Sequence, residues 1–453
     1  MLKQAATKIV QTLRSHGYQA YLVGGCVRDL LLGREPADFD VATDARPDEV
    51  MRLFPETYAV GAQFGVVLVP VAAGAASEPP TGNRKLETGN STIEVATFRS
   101  DGLYTDGRHP HEVIYSKDPR EDVQRRDFTI NGLLLDPLEG NRVLDFVGGQ
   151  ADLQAGIIRT IGEPHRRFGE DKLRLMRALR FAARFAYRIE PATFAALREL
   201  APQILVVSRE RLRDELTRML TEGHARRAFE LLEESGLLRE VLPAIAAMKG
   251  VQQPPQFHPE GDVWVHTLLM LELLPHPCSR TLAWGALLHD VGKPPTFRVA
   301  PDRIRFDGHV EVGTRMAEEI CRGLRFSNDD TAQVAALVAN HLRFADASRM
   351  KPSTLKRFLR LDRFAEHLEM HRIDCRASHG DLSVYDFVCQ KLAEMAPEQI
   401  RPRPLITGDD LIALGYQPGP KFKEILTAVE DAQLEGRLQT KEEALQLVKK
   451  ELA

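Results

Sequence analysis

A chain of 453 residues is too long for one hydrophobic core and suggests roughly two to four domains; at 43% hydrophobic and 27% charged it has the composition of a folded soluble protein. No apolar run reaches membrane-spanning length, and five cysteines without CxxC spacing (Cys26, Cys278, Cys321, Cys375, Cys389) point to neither a disulfide framework nor a zinc knuckle. The net charge of -4 weighs against a globally basic nucleic-acid binder, although a local basic stripe on an acidic protein still serves RNA.

The opening MLKQAATKIVQTLRSHG reads as an amphipathic helix rather than a signal peptide, with Leu2, Ile9, Val10 and Leu13 as its apolar stripe and Gly17 as its stop. A cytoplasmic location is the expectation. Residues 21–43, YLVGGCVRDLLLGREPADFDVAT, follow as strand, Gly24-Gly25 turn, leucine-rich helix and second strand. On a strand Asp38 and Asp40 project from one face while Phe39 turns into the core. Two carboxylates so held repel as anions, and a divalent cation removes that penalty; magnesium suits carboxylates plus triphosphate oxygens. The glycine turn lets backbone amides approach phosphate, the helix N-terminus favours negative charge, and Arg28 one turn on is placed to hold a phosphate. The stretch therefore predicts a metal-dependent nucleotide-transfer site.

After a short helix over 47–54, the runs 65–71 and 92–98 read as strands of the same sheet, and the Gly/Pro/Ser/Asn-rich residues between them (72–91) as a long hairpin loop with the composition of a disordered segment. Glu94 alternates with Ile93 and Val95 toward the face of the two aspartates, in a supporting role. Residues 99–115, RSDGLYTDGRHPHEVIY, form a polar loop of the kind that gates chemistry. In EDVQRRDFTINGLLLDP, Arg125 and Arg126 beside Asp127 suit a triphosphate through bidentate guanidinium forks, unless they are a surface charge cluster.

From 159 to 188 the chain turns helical and basic. Arg174, Arg177, Arg180 and Arg184 share one helix face, with Leu175, Met176, Leu179 and Ala183 packing inward. Such a stripe is solvated surface or a phosphate track, and the scarcity of acidic residues after Asp171 favours the track. Asp171 and Arg174, a carboxylate acceptor and a guanidinium donor one turn apart, are placed to read base edges.

These motifs together, LVGGCVRDLLLGREPADFDVAT, QFGVVLV, IEVATFRSDGLYTDGRHPHEV, RRDFTINGLLLDP, GEDKLRLMRALRFAARF and SRERLRDELTRML, resemble the class II tRNA nucleotidyltransferases, the family of bacterial CCA-adding enzymes and poly(A) polymerases. The resemblance implies that Asp38 and Asp40 bind two Mg2+ ions, that Gly24, Gly25, Arg28 and Arg126 contact the triphosphate, and that Asp171 and Arg174 form the protein template that selects CTP and then ATP. Asp127 and Arg177 look similar to further members of the nucleotide pocket, and the segment 208–220 to the brace of the neck. The implied fold class is α+β: a β-sheet head over 1–150, then an all-α neck (151–225), body (226–350) and tail (351–453) that grip tRNA. The activity implied is template-independent addition of C, C and A to the tRNA 3' end by two-metal catalysis, with A-addition or poly(A) addition as the alternative. The GLYTDGRHP loop argues against a CC-only enzyme, and QFGVVLV favours the tRNA branch.

In the second half, GDVWVHTLLMLEL, ALLHDVGKPPTF, GHVEVGTRMAEEI and VANHLRF resemble an HD domain, a helical bundle in which His and Asp bind divalent metal for phosphate-ester hydrolysis. His266, His289, Asp290, His309 and His341 are the ligands this implies for a second metal site. Leu342 stands where such domains place a final aspartate, with Asp346 several residues late. That departure favours a structural or RNA-positioning role over a second identity as a metal-dependent phosphohydrolase. Near the C-terminus Gly415, Pro418, Gly419 and Pro420 make a turn before a helix, where Lys421 and Lys423 either meet tRNA phosphate or are simply solvated.

Overall fold

The computed structural model describes residues 2–58, 65–71, 92–101, 113–256 and 258–451. It is α+β and divides into two compact units, Met1–Met219 with Arg227–Val241, and Leu220–Arg226 with Leu242–Ala453. Residues Arg227–Val241, which the sequence reading places in the body, belong to the first unit.

The first unit begins with α1 (Leu2–Ser15), whose stripe Ala6, Ile9, Val10 and Leu13 is buried. Then come β1 (Ala20–Val23), α2 (Gly25–Leu31), β2 (Asp40–Thr43), α3 (Pro47–Leu53), β3 (Val66–Pro70) and β4 (Thr92–Thr97). The short strands β5 (Arg99–Asp101) and β6 (Val113–Tyr115) pair with each other, and α4 (Pro119–Gln124), β7 (Leu133–Asp136) and β8 (Arg142–Asp145) follow. Among the described residues six strands form one sheet in the order β3-β4-β2-β1-β7-β8. β3 and β4 pair antiparallel as a hairpin; the insertion 72–91 that joins them and most of the polar loop, 102–112, lie outside the described residues.

Alternation decides what this sheet buries. Phe39, Val41, Val67 and Val95 face one core with Ile9, Val10 and Leu13 of α1, while Val23, Ala42, Phe98 and Leu134 face another. Each such side chain contributes about 1.5–3 kcal/mol by leaving water, so a one-residue slip of β2 would exchange Phe39 and Val41 for Asp38 and Asp40 in the core. The helices α5 (Gly149–Ala155), α6 (Pro164–Glu170), α7 (Leu173–Phe185), α8 (Pro191–Leu200) and α9 (Arg209–Thr221) complete the part of the unit that concerns the site.

The second unit is helical. Its helices Val263–Glu272, Arg280–Leu288, Asn328–Asn340 and Phe364–Ala377 share a core of Met270, Leu282, Ala286, Leu337, Met370 and Ile373. Farther along, Ile406, Leu411, Ile425, Val429, Ala444 and Val448 form a separate core in the tail. No helix among the described residues is long and apolar enough to cross a membrane.

Candidate active site

Strand register builds the site. β1 runs antiparallel to β2 with Val23 opposite Asp40, and β2 runs parallel to β4 with Asp40 beside Glu94. The Gly24-Gly25 turn that follows Val23 is thereby placed at the sheet edge where the carboxylates begin. β2 begins only at Asp40, so Asp38 and Phe39 lie just ahead of the strand that was expected to carry them; Phe39 is buried, Asp38 exposed and Asp40 half-buried, and Asp38 is close enough for its charge to act on Asp40. Glu94, given a supporting role on sequence, is the third carboxylate of the cluster; the parity of IEVATF was the signal. Burial, then the charges of Glu94 and Asp38, push the Asp40 carboxyl up to about 7 against the opposing pull of Arg126. Three oxygen-donor side chains whose burial and mutual repulsion together hold a proton this tightly are chemically suited to a hard divalent cation, which would relieve the repulsion.

Gly24 has φ +77°, and a Cβ there would stand 3.2 Å from Arg126 Nη1, so the turn requires glycine both for its backbone angle and for the guanidinium against it. Arg126 is aimed by Asp122, whose Oδ2 accepts from its Nε at 3.2 Å and its Nη2 at 2.9 Å. The other Asp122 oxygen takes the Arg125 fork at 2.6 and 2.9 Å. Burial would raise the Asp122 carboxyl, but Arg126 and Arg125 more than offset it and hold it below its ordinary range. Asp122 escaped the sequence reading, although its spacing of three and four residues from the arginine pair was visible.

Arg28 is placed differently from expectation. Its guanidinium is buried, donating to Asp29 at 2.8 Å and to Asn131 Oδ1 at 2.5 Å, and stacks over Phe185 with 4.6 Å to the ring centroid. Those partners fix it as a brace behind the turn, which it approaches through Nη2, 3.6 Å from a Cβ built on Gly25.

Asp127, in the loop between α4 and β7, joins that loop to α7. Its Oδ2 accepts from Arg177 Nε at 2.9 Å and Nη2 at 2.7 Å, while Oδ1 accepts from the Phe128 amide at 2.8 Å and Asn131 at 3.0 Å. Burial opposes ionisation here, but Arg177 and Asn131 hold the carboxyl far below its usual range. Asp171, just past α6, accepts from Arg211 of α9 at 2.7 Å. Arg174 donates to Glu170 at 2.8 Å and to the Arg125 carbonyl at 3.0 Å. The template pair of the sequence reading thus carries partners of its own, Arg211 and Glu170, neither of which sequence had marked.

The arginine stripe of α7 requires a correction. Arg180 is buried and donates to Glu215 of α9 at 2.7 Å, Arg174 meets Glu170, Arg177 meets Asp127, and Arg184 lies 4.0 Å from Asp29. Local scarcity of acids had suggested a phosphate track; the acids come from other elements, and the stripe ties α7 to the sheet and to α9. A cavity of about 600 Å3 nearby is lined by Arg125, Arg159, Arg166, Arg167 and Glu170 rather than by the sheet carboxylates.

In the second unit the five predicted ligands do meet. His266 Nε2 lies 3.2 Å from His289 Nε2, and Asp290 Oδ1 lies 3.9 Å from His309 Nε2 and 3.8 Å from His341 Nε2. Leu342 is exposed, and the expected carboxylate comes instead from the helix Phe364–Ala377, whose Asp374 stands 3.2 Å from His266 Nε2. A Cβ on Gly292 would fall 2.1 Å from the His309 carbonyl, so the glycine of HDVGK is what lets the His309 segment approach Asp290.

Family models match three stretches: the poly A polymerase head domain at residues 20–159, the probable RNA- and SrmB-binding site of polymerase A at 186–249, and tRNA nucleotidyltransferase domain 2 at 309–448. A CCA-adding enzyme of Lactococcus lactis subsp. lactis is 31% identical over 446 residues, 97% of this chain and 95% of that protein. A CCA-adding enzyme of Geobacillus stearothermophilus is 42% identical over 243 residues, and that match spans about half of each, 54% of this chain and 55% of the relative. Among solved structures, the Bacillus stearothermophilus CCA-adding enzyme in complex with CTP superposes with a TM-score of 0.72 at 27% identity, covering 98% of this chain and 96% of that one.

Proposed function

The chain belongs to the family of CCA-adding enzymes, and from that premise we propose that it adds C, C and A, taken from CTP and ATP, to the 3' end of tRNA without a nucleic-acid template. Asp38 and Asp40, with Glu94 beside them, would hold two Mg2+ ions. When bound, magnesium there supplies Lewis acidity toward the terminal ribose hydroxyl and charge neutralisation toward the leaving pyrophosphate. The rest falls to the chain's own groups. The amides of Gly24 and Gly25 and the Nη1 edge of Arg126 receive the triphosphate, and Arg28 keeps the turn in place from behind. Asp122 holds the Arg126 fork in position before the nucleotide arrives, which lowers the entropy lost on binding.

At the other end of the pocket, Asp171 and Arg174 exchange their resting partners, Arg211 and Glu170, for the edge of the incoming base. Asp127 and Arg177 hold that end of α7 against the sheet. A cytoplasmic location goes with a tRNA substrate.

The observation that carries this reading is the register that sets Asp40 beside Glu94 and opposite Val23, bringing carboxylates and glycine turn to one edge. The test supplies CTP or ATP to tRNAs ending at the discriminator base, at C and at CC. The protein should extend all three in order, and Asp38→Ala/Asp40→Ala should extend none. Addition to the CC-ended tRNA alone would replace full addition by A-addition, and unlimited A-addition would replace it by poly(A) synthesis. Activity surviving in the double variant would remove the carboxylate mechanism.

A further inference from the structure

Asn131 holds no metal, phosphate or base in the reading above, yet it is buried between two charged side chains of the site. It ends the short helical turn Thr129–Asn131 and is 7% exposed. Its amide is engaged at both ends: Oδ1 accepts from Arg28 Nη1 at 2.5 Å, and Nδ2 donates to Asp127 Oδ1 at 3.0 Å. A guanidinium only donates and an ionised carboxylate only accepts, so the two partners require one acceptor and one donor on the same short side chain. Asparagine supplies both. An ionised aspartate lacks the donor, and leucine, of similar shape, lacks donor and acceptor alike.

The row continues beyond both partners. Arg28 lies in α2 behind the glycine turn, donating through Nε to Asp29 at 2.8 Å, with its Nη2 3.6 Å from a Cβ built on Gly25. Asp127 accepts through its other oxygen from Arg177 of α7 at 2.7 and 2.9 Å. Phe181 and Phe185 of α7 close the circuit: their rings are stacked with centroids 6.1 Å apart, Arg28 stands 4.6 Å over Phe185, and Arg177 stands 5.3 Å over Phe181. Hydrogen bonds are directional and stacked faces slide, so the polar arm through Asn131 fixes a spacing that the stacked arm leaves free. We propose that Asn131 is a positioning residue for nucleotide transfer: it sets the distance between the glycine turn and α7, and so between the groups that receive the triphosphate and those that read the base. This role rests on the functional reading above. A nucleoside triphosphate must satisfy both ends at once, and a misplacement of about 1 Å in such a span costs up to about a hundredfold in rate.

The test separates a ligand that spans both ends from one that occupies the turn alone. CTP and inorganic pyrophosphate are titrated calorimetrically, with Mg2+ and above neutral pH, into the full chain and into Asn131→Leu and Asn131→Asp, and tRNA extension is measured alongside. In both variants CTP should bind about tenfold more weakly, the effect of one lost charge-assisted hydrogen bond, while pyrophosphate stays within about twofold. Retained pyrophosphate binding also reports that the first unit is folded. Asn131→Leu added to Arg177→Met should weaken CTP by less than about twofold further, because the row is already open. Equal loss of CTP and pyrophosphate, unchanged CTP affinity in either variant, or a further loss of about tenfold in the Arg177→Met background would overturn the role of Asn131. A parent chain that extends no tRNA would overturn the reading of function as well, and is thereby told apart from a failure of Asn131 alone.

Discussion

Replacing Asp40 by asparagine should abolish nucleotide transfer and, when divalent metal is withheld, stabilise the first unit. Burial, Glu94 and Asp38 together raise the Asp40 carboxyl from the ordinary 3.8 to about 7. A carboxyl that holds its proton more tightly folded than unfolded costs nothing below about pH 4, where both states are protonated. The cost grows as the pH rises and is complete above about pH 7, where the folded carboxyl ionises as well. A tenfold change in proton affinity is worth about 1.4 kcal/mol, which sets an upper bound of about 4 kcal/mol. Asp40 is only half-buried, and solvent screening brings the expected figure to about 2 kcal/mol. For a unit of this size that corresponds to roughly 4–8 °C in Tm. Scanning calorimetry in EDTA is the assay, because it resolves the transitions of two units. At pH 8 the first-unit transition of Asp40→Asn should lie above that of the parent, and at about pH 4.5 the two should converge. Added Mg2+ should close the gap at pH 8 by stabilising the parent alone. Equal melting at pH 8 in EDTA, or equal stabilisation of both by Mg2+, would refute the idea that mutual repulsion of the carboxylates prepares the metal site.

Further consequences follow from the neighbouring contacts. Asp122→Asn weakens the forks of both Arg125 and Arg126, so kcat/KM for CTP and ATP should fall about tenfold or more, the equivalent of one charge-assisted hydrogen bond, and Tm should fall as well because a buried, paired carboxylate is lost; unchanged single-turnover kinetics would contradict the role given to Asp122. Arg180→Met leaves buried Glu215 with the more distant Arg218, 3.9 Å away, and should cost about 3 kcal/mol in urea unfolding, while Arg180→Met/Glu215→Met should recover most of it. Failure of the double variant to recover would mean the pair is more than a mutual neutraliser. Asp171→Ala removes a base-edge acceptor and the partner of Arg211; discrimination of CTP and ATP against UTP and GTP should drop by about 10–100-fold, read as competing incorporation on tRNA ending at the discriminator base for CTP and on CC-ended tRNA for ATP. In Asp127→Asn the anchor of Arg177 weakens, and KM should rise for both nucleotides together with no change in their ratio, a pattern opposite to that of Asp171→Ala.

The sequence by itself determined what period-two alternation and local spacing control. Asp38, Phe39 and Asp40 divided between surface and core as written, Ile9, Val10 and Leu13 of the α1 stripe were buried while Leu2 is only partly so and Ala6 takes its place in the core, and Gly24 was required where the chain turned. Those features depend on backbone geometry within a few residues, which sequence order carries directly. It also marked five His and Asp positions that the second unit brings into one cluster. What it did not carry was the identity of partners far along the chain. The stripe Arg174, Arg177, Arg180 and Arg184 looked unopposed because its carboxylates, Glu170, Asp127, Glu215 and Asp29, come from three other helices and the loop after α4. Leu342 looked like a lost ligand because Asp374 arrives from a separate helix, and Glu94 looked secondary because only the parallel pairing of β2 with β4 sets it against Asp40. A charge is read from one residue, but whether it is spent on the fold or offered to a ligand depends on what tertiary packing brings within about 4 Å, and that distance is decided only when the chain has folded.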